Sequence, residues 1–339
     1  MSSNPAASRR RLLAAAGLSL LPATAPRAVL APPQAWAEPG PHAVRSLIDT
    51  WHDSDRRRTL PVKAWLPEGA GPWSVVVYSH GLGGSREGGG AWAQHWASHG
   101  IASLHPQHAG SDEALWRDVA GDRGAVLAAL RRGMGPEQLL LRVGDVRFAI
   151  DELVRRAGAG QPDWRALDPV RVGIAGHSFG AVTTQALMGQ RFAAAPMLRL
   201  AEPRARAAML FSPSARGDAT DAAFAAVAVP VLCWTGTRDE LPELSPGVTA
   251  AGRTEVFAHL PPGDKLQVVF DGADHLLFAG DRFPRRDDPA RDERQGRLIR
   301  AGSAAFWRAH LDGDASARAW LGADGFGAAL GAEGRFSAR

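Results

Sequence analysis

Apolar and polar positions along the chain follow two alternating periods. The segments "LPVKAWLP" (60–67) and "WSVVVYSHG" (73–81) are short runs rich in β-branched and aromatic residues, and they predict successive strands joined by a turn. "GAWAQHWASHG" suits a helix, and "IASLHPQHAGSD" a strand running into a loop. The period then lengthens. Leu139, Val143, Val146, Ile150, Leu153 and Ala157 recur at alternating steps of four and three, which predicts one buried face of a long helix opened by Pro136. "VRVGIAG" from Val170 predicts a buried strand, and "FGAVTTQALMG" a helix directly after it. "RAAMLFSPSA", "VPVLCWTGTRDE" and "KLQVVFDGADH" predict three further strands, and "RLIRAGSAAFWRAHL" a closing helix. The charge run "RRDDPARDERQGR" is a solvated approach to that helix. Strands alternating with helices predict an α/β fold, a mostly parallel sheet covered on both faces, with sites at the carboxyl ends of its strands.

The N-terminal stretch breaks this pattern. "SRRRLLAAAGLSLLPATAPRAVLAPPQAWA" has a basic start, a short apolar run and a small-x-small ending at Ala35-Trp36-Ala37, the layout of an export signal. Arg9-Arg10 after Ser8, followed by Leu12 and Leu13, fits the twin-arginine type. Pro22 and Pro26 interrupt the apolar run, which is short for a bilayer span. The expected division is therefore a signal over 1–37 and a single domain over 38–339, exported to the periplasm or beyond and without a stable membrane anchor.

Composition changes the picture at one point. Of 339 residues, 45% are hydrophobic and 22% charged, enough for one large core, and the formal net charge is +4. Removing 1–37 takes away Arg9, Arg10, Arg11 and Arg27 and no acid, so the expected mature domain has no formal net charge. The basicity belongs to the signal, and no nucleic-acid partner is expected. The single cysteine, Cys233, lies in an apolar strand and is read as a small hydrophobe.

Four predicted strand ends carry unusual residues: "SHGLGGS", "GHSFG", "TGTRDE" and "DGADH". Gly176-x-Ser178-x-Gly180, between a strand and a helix, is the G-x-S-x-G spacing in which two glycines let the elements approach while the serine is held strained and exposed. A serine hydroxyl is a weak nucleophile until a base takes its proton and a third group orients that base. His275, after the last predicted strand, is the candidate base, and Asp239, in "TGTRDE", the candidate acid. Glu240, Glu243, Asp271 and Asp274 are alternative acids; Asp274 adjoins His275, but adjacency in sequence points the two side chains apart. The order nucleophile, acid, base along the chain favours Asp239. Negative charge developing on a carbonyl oxygen needs donors already aimed at it. The expected donors are the backbone N–H of Phe179, at a helix N-terminus, and that of Leu82, in "SHGLGGS", with His80 buttressing the loop. "HPQH" (105–108) with Asp112 lacks a third well-placed metal ligand and is read as a loop lining the pocket.

Taken together, "SHGLGGSREGG", "GHSFG", "TGTRDE", "PPGDK" and "GADHLLFAG" resemble the exported α/β-hydrolases grouped as dienelactone-hydrolase-like proteins, related to platelet-activating-factor acetylhydrolases. The similarity covers nearly all of the chain after the signal. It implies an α/β-hydrolase fold and a serine hydrolase that cleaves carboxylic esters through an acyl-enzyme, with no metal or organic cofactor. Two departures qualify it. Dienelactone hydrolases use a cysteine where Ser178 stands. Plasma-type acetylhydrolases take their acid from the strand after the elbow helix, which here ends in "LFSPS" without a carboxylate. Only eighteen positions separate Phe211 from Val229, too few for a multi-helix lid, so the loops after Asp112 and Asp239, with Trp116 and Phe257, are expected to wall a pocket for short acyl esters. A lipase or lactonase shares the same machinery, and a non-catalytic acyl-binding protein is the alternative of a different class.

Overall fold

The structure, a computed structural model, describes residues 1, 33–215, 219–280 and 288–339. Arg9, Arg10 and all but the last five residues of the expected signal, Met1 aside, lie outside the described residues. In chain order the elements are α1 (Pro33–Ala37), β1 (Val44–Asp53), β2 (Arg58–Pro67), β3 (Trp73–Ser79), α2 (Gly90–Ser98), β4 (Ile101–Pro106), α3 (Arg123–Arg132), α4 (Pro136–Gly158) and β5 (Leu167–His177). They continue with α5 (Phe179–Met188), β6 (Ala205–Phe211), α6 (Asp221–Phe224), β7 (Val231–Arg238), α7 (Glu255–His259), β8 (Lys265–Asp274), α8 (Pro289–Leu311), α9 (Ala315–Trp320) and β9 (Gly334–Ala338).

The strands form one sheet in the order β1-β2-β4-β3-β5-β6-β7-β8-β9. The six strands from β4 to β8 in that order run parallel; β1 and β2 at one edge and β9 at the other are antiparallel to their neighbours. The fold is thus α/β with a mixed, mostly parallel nine-stranded sheet. Its central strands are apolar on both sides because successive side chains face opposite layers. Val75 and Val77 of β3 pack with the helices α4 and α5, whereas Val76 and Tyr78 face α2, α8 and α9. β7 divides likewise, with Val231 and Cys233 on the first face and Leu232 and Trp234 on the second. The expected stripe of α4 is buried from Leu139 to Leu153, with Ala157 only half-buried, but the same face also buries Arg142 and Asp145.

Elements beyond the sequence expectation are β1 and β9, both edge strands, α3, and the short helices α1, α6, α7 and α9. The closing helix is followed by α9 and β9 rather than ending the chain. Short α6 is the only helix among the described residues between β6 and β7, in keeping with the short connection there. No helix of the described residues is long and apolar enough to cross a membrane.

The expected boundary at Ala37 falls at the end of a docked helix. Trp36 is buried, 5.7 Å from the ring of His99 and 6.4 Å from that of Trp320, and its carbonyl accepts a hydrogen bond from His95 Nε2 at 2.8 Å. Glu38, just beyond, is tied to Arg297 of α8. A cut after Ala37 would remove this indole from the α2/α8/α9 layer. Replacing a buried Trp by Ala costs about 3 kcal/mol or more. Trp36→Ala should therefore lower the melting temperature by roughly 6 °C or more; scanning calorimetry that finds no shift would show that α1 adds nothing to the fold.

Candidate active site

Four loops meet at the carboxyl edge of the sheet: residues 80–84 after β3, Ser178 after β5, Asp239 after β7 and His275 after β8. Ser178 has φ 56° and ψ −116°, a left-handed conformation that costs a non-glycine residue on the order of 1–3 kcal/mol. Its N–H is held by the carbonyl of Phe211 at 2.9 Å, and its own carbonyl accepts from Val182 in the first turn of α5. The flanking glycines are required by close approach. A Cβ at Gly180 would lie 1.9 Å from the carbonyl oxygen of Ser79, and one at Gly176 would lie 2.2 Å from that of Gly180. The sharp turn sets Ser178 in the lining of a cavity of about 300 Å³, with its side chain ahead of the N-terminus of α5.

His275 lines the same cavity. Its Nδ1 lies 2.7 Å from Asp239 Oδ1, and since a carboxylate only accepts, Nδ1 carries the proton and Nε2 keeps a lone pair. Asp239 is fully buried and well supplied with donors. Thr235 Oγ1 donates to Oδ2 at 2.8 Å, and Arg253 Nε lies 2.8 Å from Oδ1 while donating to the Asp239 carbonyl at 2.6 Å. Arg253 also donates to the carbonyls of Ser212 and Pro213, tying the end of β6 to the acid loop. Burial alone would raise the Asp239 carboxyl, but His275 and Arg253 outweigh it and hold it below the usual range. Burial pushes His275 down, with Asp239 opposing, so the ring is neutral at pH 7. His177 Nε2 contacts the His275 carbonyl at 3.1 Å and helps fix that loop. Ser178 and His275 share the cavity without a direct hydrogen bond among the described residues.

The other acids have separate tasks. Asp274 caps the turn after β8, accepting from the N–H of Leu276 and Leu277. Glu240 accepts from Ala250 N–H, and Asp271 lies 3.5 Å from Arg335. Glu243 pairs with Arg123 of α3, and Arg131 donates to its carbonyl. This exposed pairing, worth about 0–1 kcal/mol, joins α3 to the loop after β7 as a roof over the cavity. Val126 and Leu130 of α3, Leu241 and Leu244 of that loop, and Trp116 line it. Among the described residues no Lys, Arg, Asp or Glu lines the cavity.

Two expectations about walls are corrected. Phe257 does not line the cavity; it packs against the core cluster on the α4/α5 side of the sheet, because α7 lies along that layer. His105 and His108 do not line it either. Both are buried: His105 lies between the rings of Trp65 and Tyr78 with Nδ1 3.0 Å from the Gly88 carbonyl, whereas His108 lies behind the 80–84 loop, bridging Asp145 at 3.0 Å and Ser79 at 3.1 Å, and its backbone N–H donates to His80 Nε2. His80 therefore carries its proton on Nδ1, which donates to the Gly81 carbonyl at 2.7 Å, the buttress expected of it. Among the described residues no three His, Cys, Asp or Glu side chains are placed to hold a metal.

Sequence reasoning missed α3 and the two buried arginines. α3 was legible: Asp122 caps its start, accepting from Ala125 N–H at 3.0 Å, Gly133 follows its end, and Val126 and Leu130 are one turn apart. Nothing local marks Arg253, which is recognised only through the loops it joins. Comparison with protein-family models and with curated proteins gives no match.

The coupling between His275 and Asp239 is measurable without any substrate. Nuclear magnetic resonance of labelled histidine should place the His275 midpoint below the ordinary value of about 6.5. Because Asp239 favours the charged ring, Asp239→Asn should move that midpoint lower still. A midpoint above the ordinary value, or one that Asp239→Asn leaves in place, would contradict this geometry.

Proposed function

We propose that the chain is a serine hydrolase of the α/β-hydrolase fold, similar to the exported dienelactone-hydrolase-like and acetylhydrolase-like group, that cleaves short-chain carboxylic esters through an acyl-enzyme. The observation that carries this reading is the Asp239–His275 hydrogen bond of 2.7 Å beside a serine held at positive φ in the same cavity. That combination pairs the hydroxyl of a strained, half-buried residue lining the cavity with a neutral imidazole whose free nitrogen can take its proton.

In this mechanism Ser178 Oγ attacks the ester carbonyl as His275 Nε2 removes its proton. The imidazolium that forms is stabilised by Asp239, which stays charged because Arg253 and Thr235 already satisfy it. The tetrahedral oxygen is met by the N–H groups of Leu82 and Phe179. His275 then protonates the departing alcohol, and a water activated by the same base releases the acid from Ser178. The apolar lining from Leu82, Trp116, Leu130, Leu241 and Leu244 supports a neutral acyl or alkyl group as the bound part. The roof is one helix and one loop, which supports an open pocket rather than a lid sealed over a long chain. Export through a twin-arginine signal, with action on esters outside the cytoplasm, is part of the same proposal and rests on the N-terminal sequence alone.

Hydrolysis of p-nitrophenyl esters from acetate to palmitate tests both the chemistry and the substrate class. The wild-type protein should show its highest kcat/KM on short chains, with no jump when micelles form. Asp239→Asn should reduce kcat by about three to four orders of magnitude, while Asp274→Asn changes it little. Equal losses in the two variants would remove Asp239 from its assigned role; a peak at long chains with a jump at micelle formation would identify a lipase.

A further inference from the structure

A buried cation outside the triad reaches both halves of the oxyanion-binding region. Arg142 is fully buried in α4, on a helix face whose spacing otherwise marks it as core. Its Nη1 donates to the His80 carbonyl at 2.7 Å, its Nη2 reaches the Gly81 carbonyl at 3.4 Å, and its Nε donates to Ser111 Oγ at 2.8 Å. The guanidinium carbon lies 4.5 Å from the centre of the Phe179 ring, within cation–π range. Asp145 and Asp112 keep the charge in place against its burial.

The geometry of the peptide unit turns these contacts into a statement about Leu82. The Gly81 carbonyl and the Leu82 N–H belong to one planar trans peptide and point in opposite directions. Gly81 O is anchored by His80 Nδ1 at 2.7 Å, by Gly84 N–H at 3.0 Å and by Arg142. With that oxygen drawn toward α4, the N–H of Leu82 is turned to the other side, where Leu82 lines the cavity beside Ser178. Leu82 N–H makes no hydrogen bond among the described residues. The cost of burying an arginine here is offset by charge partners and acceptors that a purely structural ion pair would also have; what a structural pair would not need is simultaneous contact with the residue after the nucleophile and with the loop that faces it.

We infer that Arg142 is a positioning residue for ester hydrolysis: by holding the His80 and Gly81 carbonyls and the Phe179 ring, it aims the Leu82 and Phe179 N–H groups at the developing oxyanion. This rests on the serine-hydrolase reading above and deepens it. Arg142 touches no substrate. Its contribution is made only when negative charge appears on the carbonyl oxygen, so its loss should act on kcat and leave ground-state binding in place.

The test compares wild type with Arg142→Met, Arg142→Lys and Ser111→Ala, using p-nitrophenyl butyrate and an alkyl trifluoromethyl ketone, whose serine adduct carries the oxyanion. Losing an oxyanion donor outright costs about 100- to 1,000-fold, so misaiming should cost about 10- to 100-fold in kcat for Arg142→Met, with KM changed by about twofold or less. The inhibition constant of the trifluoromethyl ketone should rise in the same proportion as kcat/KM falls, and Arg142→Lys, which keeps the charge but not the fork, should recover part of both. If Arg142→Met does not fold, Ser111→Ala, which removes the acceptor of Nε together with one hydrogen bond to the His108 carbonyl and leaves the guanidinium in place, decides by the same proportionality, with an expected loss of about threefold or more. A folded Arg142→Met with wild-type kcat would overturn the inference, as would a fall in kcat that leaves the ketone's affinity unchanged, or, where Arg142→Met does not fold, a Ser111→Ala protein with both constants unchanged. If Ser178→Ala abolishes turnover while the Arg142 variants keep theirs, the positioning role alone fails; if the wild type turns over no ester, the hydrolase reading fails and takes this one with it.

Discussion

The carboxyl edge of the sheet is organised around one strained residue. Ser178 sits at positive φ because β5 must pass directly into α5, and the packing leaves no other route: Gly180 lies against the Ser79 carbonyl, and Gly176 against Gly180. A strain of about 1–3 kcal/mol persists only where the surroundings over-determine it. Here they do so through the Ser178 N–H bond to Phe211 and through the parallel pairing of β5 with β3 and β6. The same close approach brings the 80–84 loop beside the start of α5. The position of the hydroxyl and the proximity of the two candidate N–H donors are thus consequences of one packing constraint.

Around this turn the protein buries charge in two places, each on one side of Ser178. Arg253 stands behind Asp239 and joins the ends of β6 and β7; Arg142 stands behind the 80–84 loop and joins α4 to it. Both guanidinium groups spend most of their donors on backbone carbonyls. A buried cation bonded in this way fixes loop geometry more than it adds net stability, since desolvation consumes much of the Coulombic gain. The Arg142 side is continued by Asp145, held at about 2 despite burial by the hydrogen bonds of His108 and Arg58, so its carboxylate stays ionised across the neutral range while burial keeps the His108 ring neutral. The site is therefore assembled from irregular loops tied together by the hydrogen bonds of two buried arginines.

The legible parts of the sequence were those where local pattern and tertiary role agree. β3, β5, β7 and β8 are apolar on both sides and bounded by loops of distinctive composition, so the strands and the four strand ends were found together. Ser178 is legible from the G-x-S-x-G spacing, His275 from its place after the last strand and Asp239 from order along the chain, and the structure brings Asp239 and His275 into contact while setting Ser178 in the same cavity. β1 and β9 were missed because edge strands are only half-covered: β1 alternates intermediate and exposed residues until Trp51, and in β9 only Phe336 packs against the core. Arg142 and Asp145 were overlooked because a spacing rule counts apolar residues, and a charged residue on the buried face leaves the stripe intact. The expectation that His105 and His108 line the pocket fails because β4 lies one strand out from β3: His105 is within β4, against Trp65 and Tyr78, and His108 is delivered behind the 80–84 loop.

If Ser178 is the nucleophile proposed above, activated by its surroundings, it should take a covalent label that no other serine takes. A fluorophosphonate reacts only with a serine whose proton can be removed and whose developing oxyanion is met by donors. Intact-mass analysis after brief exposure to the reagent should show a single adduct on the wild-type chain, mapped by peptide sequencing to Ser178. The adduct should be lost in a Ser178→Ala protein of unchanged melting temperature. An unlabelled wild-type chain, or equal labelling of the Ser178→Ala protein, would rule out Ser178 as an activated nucleophile.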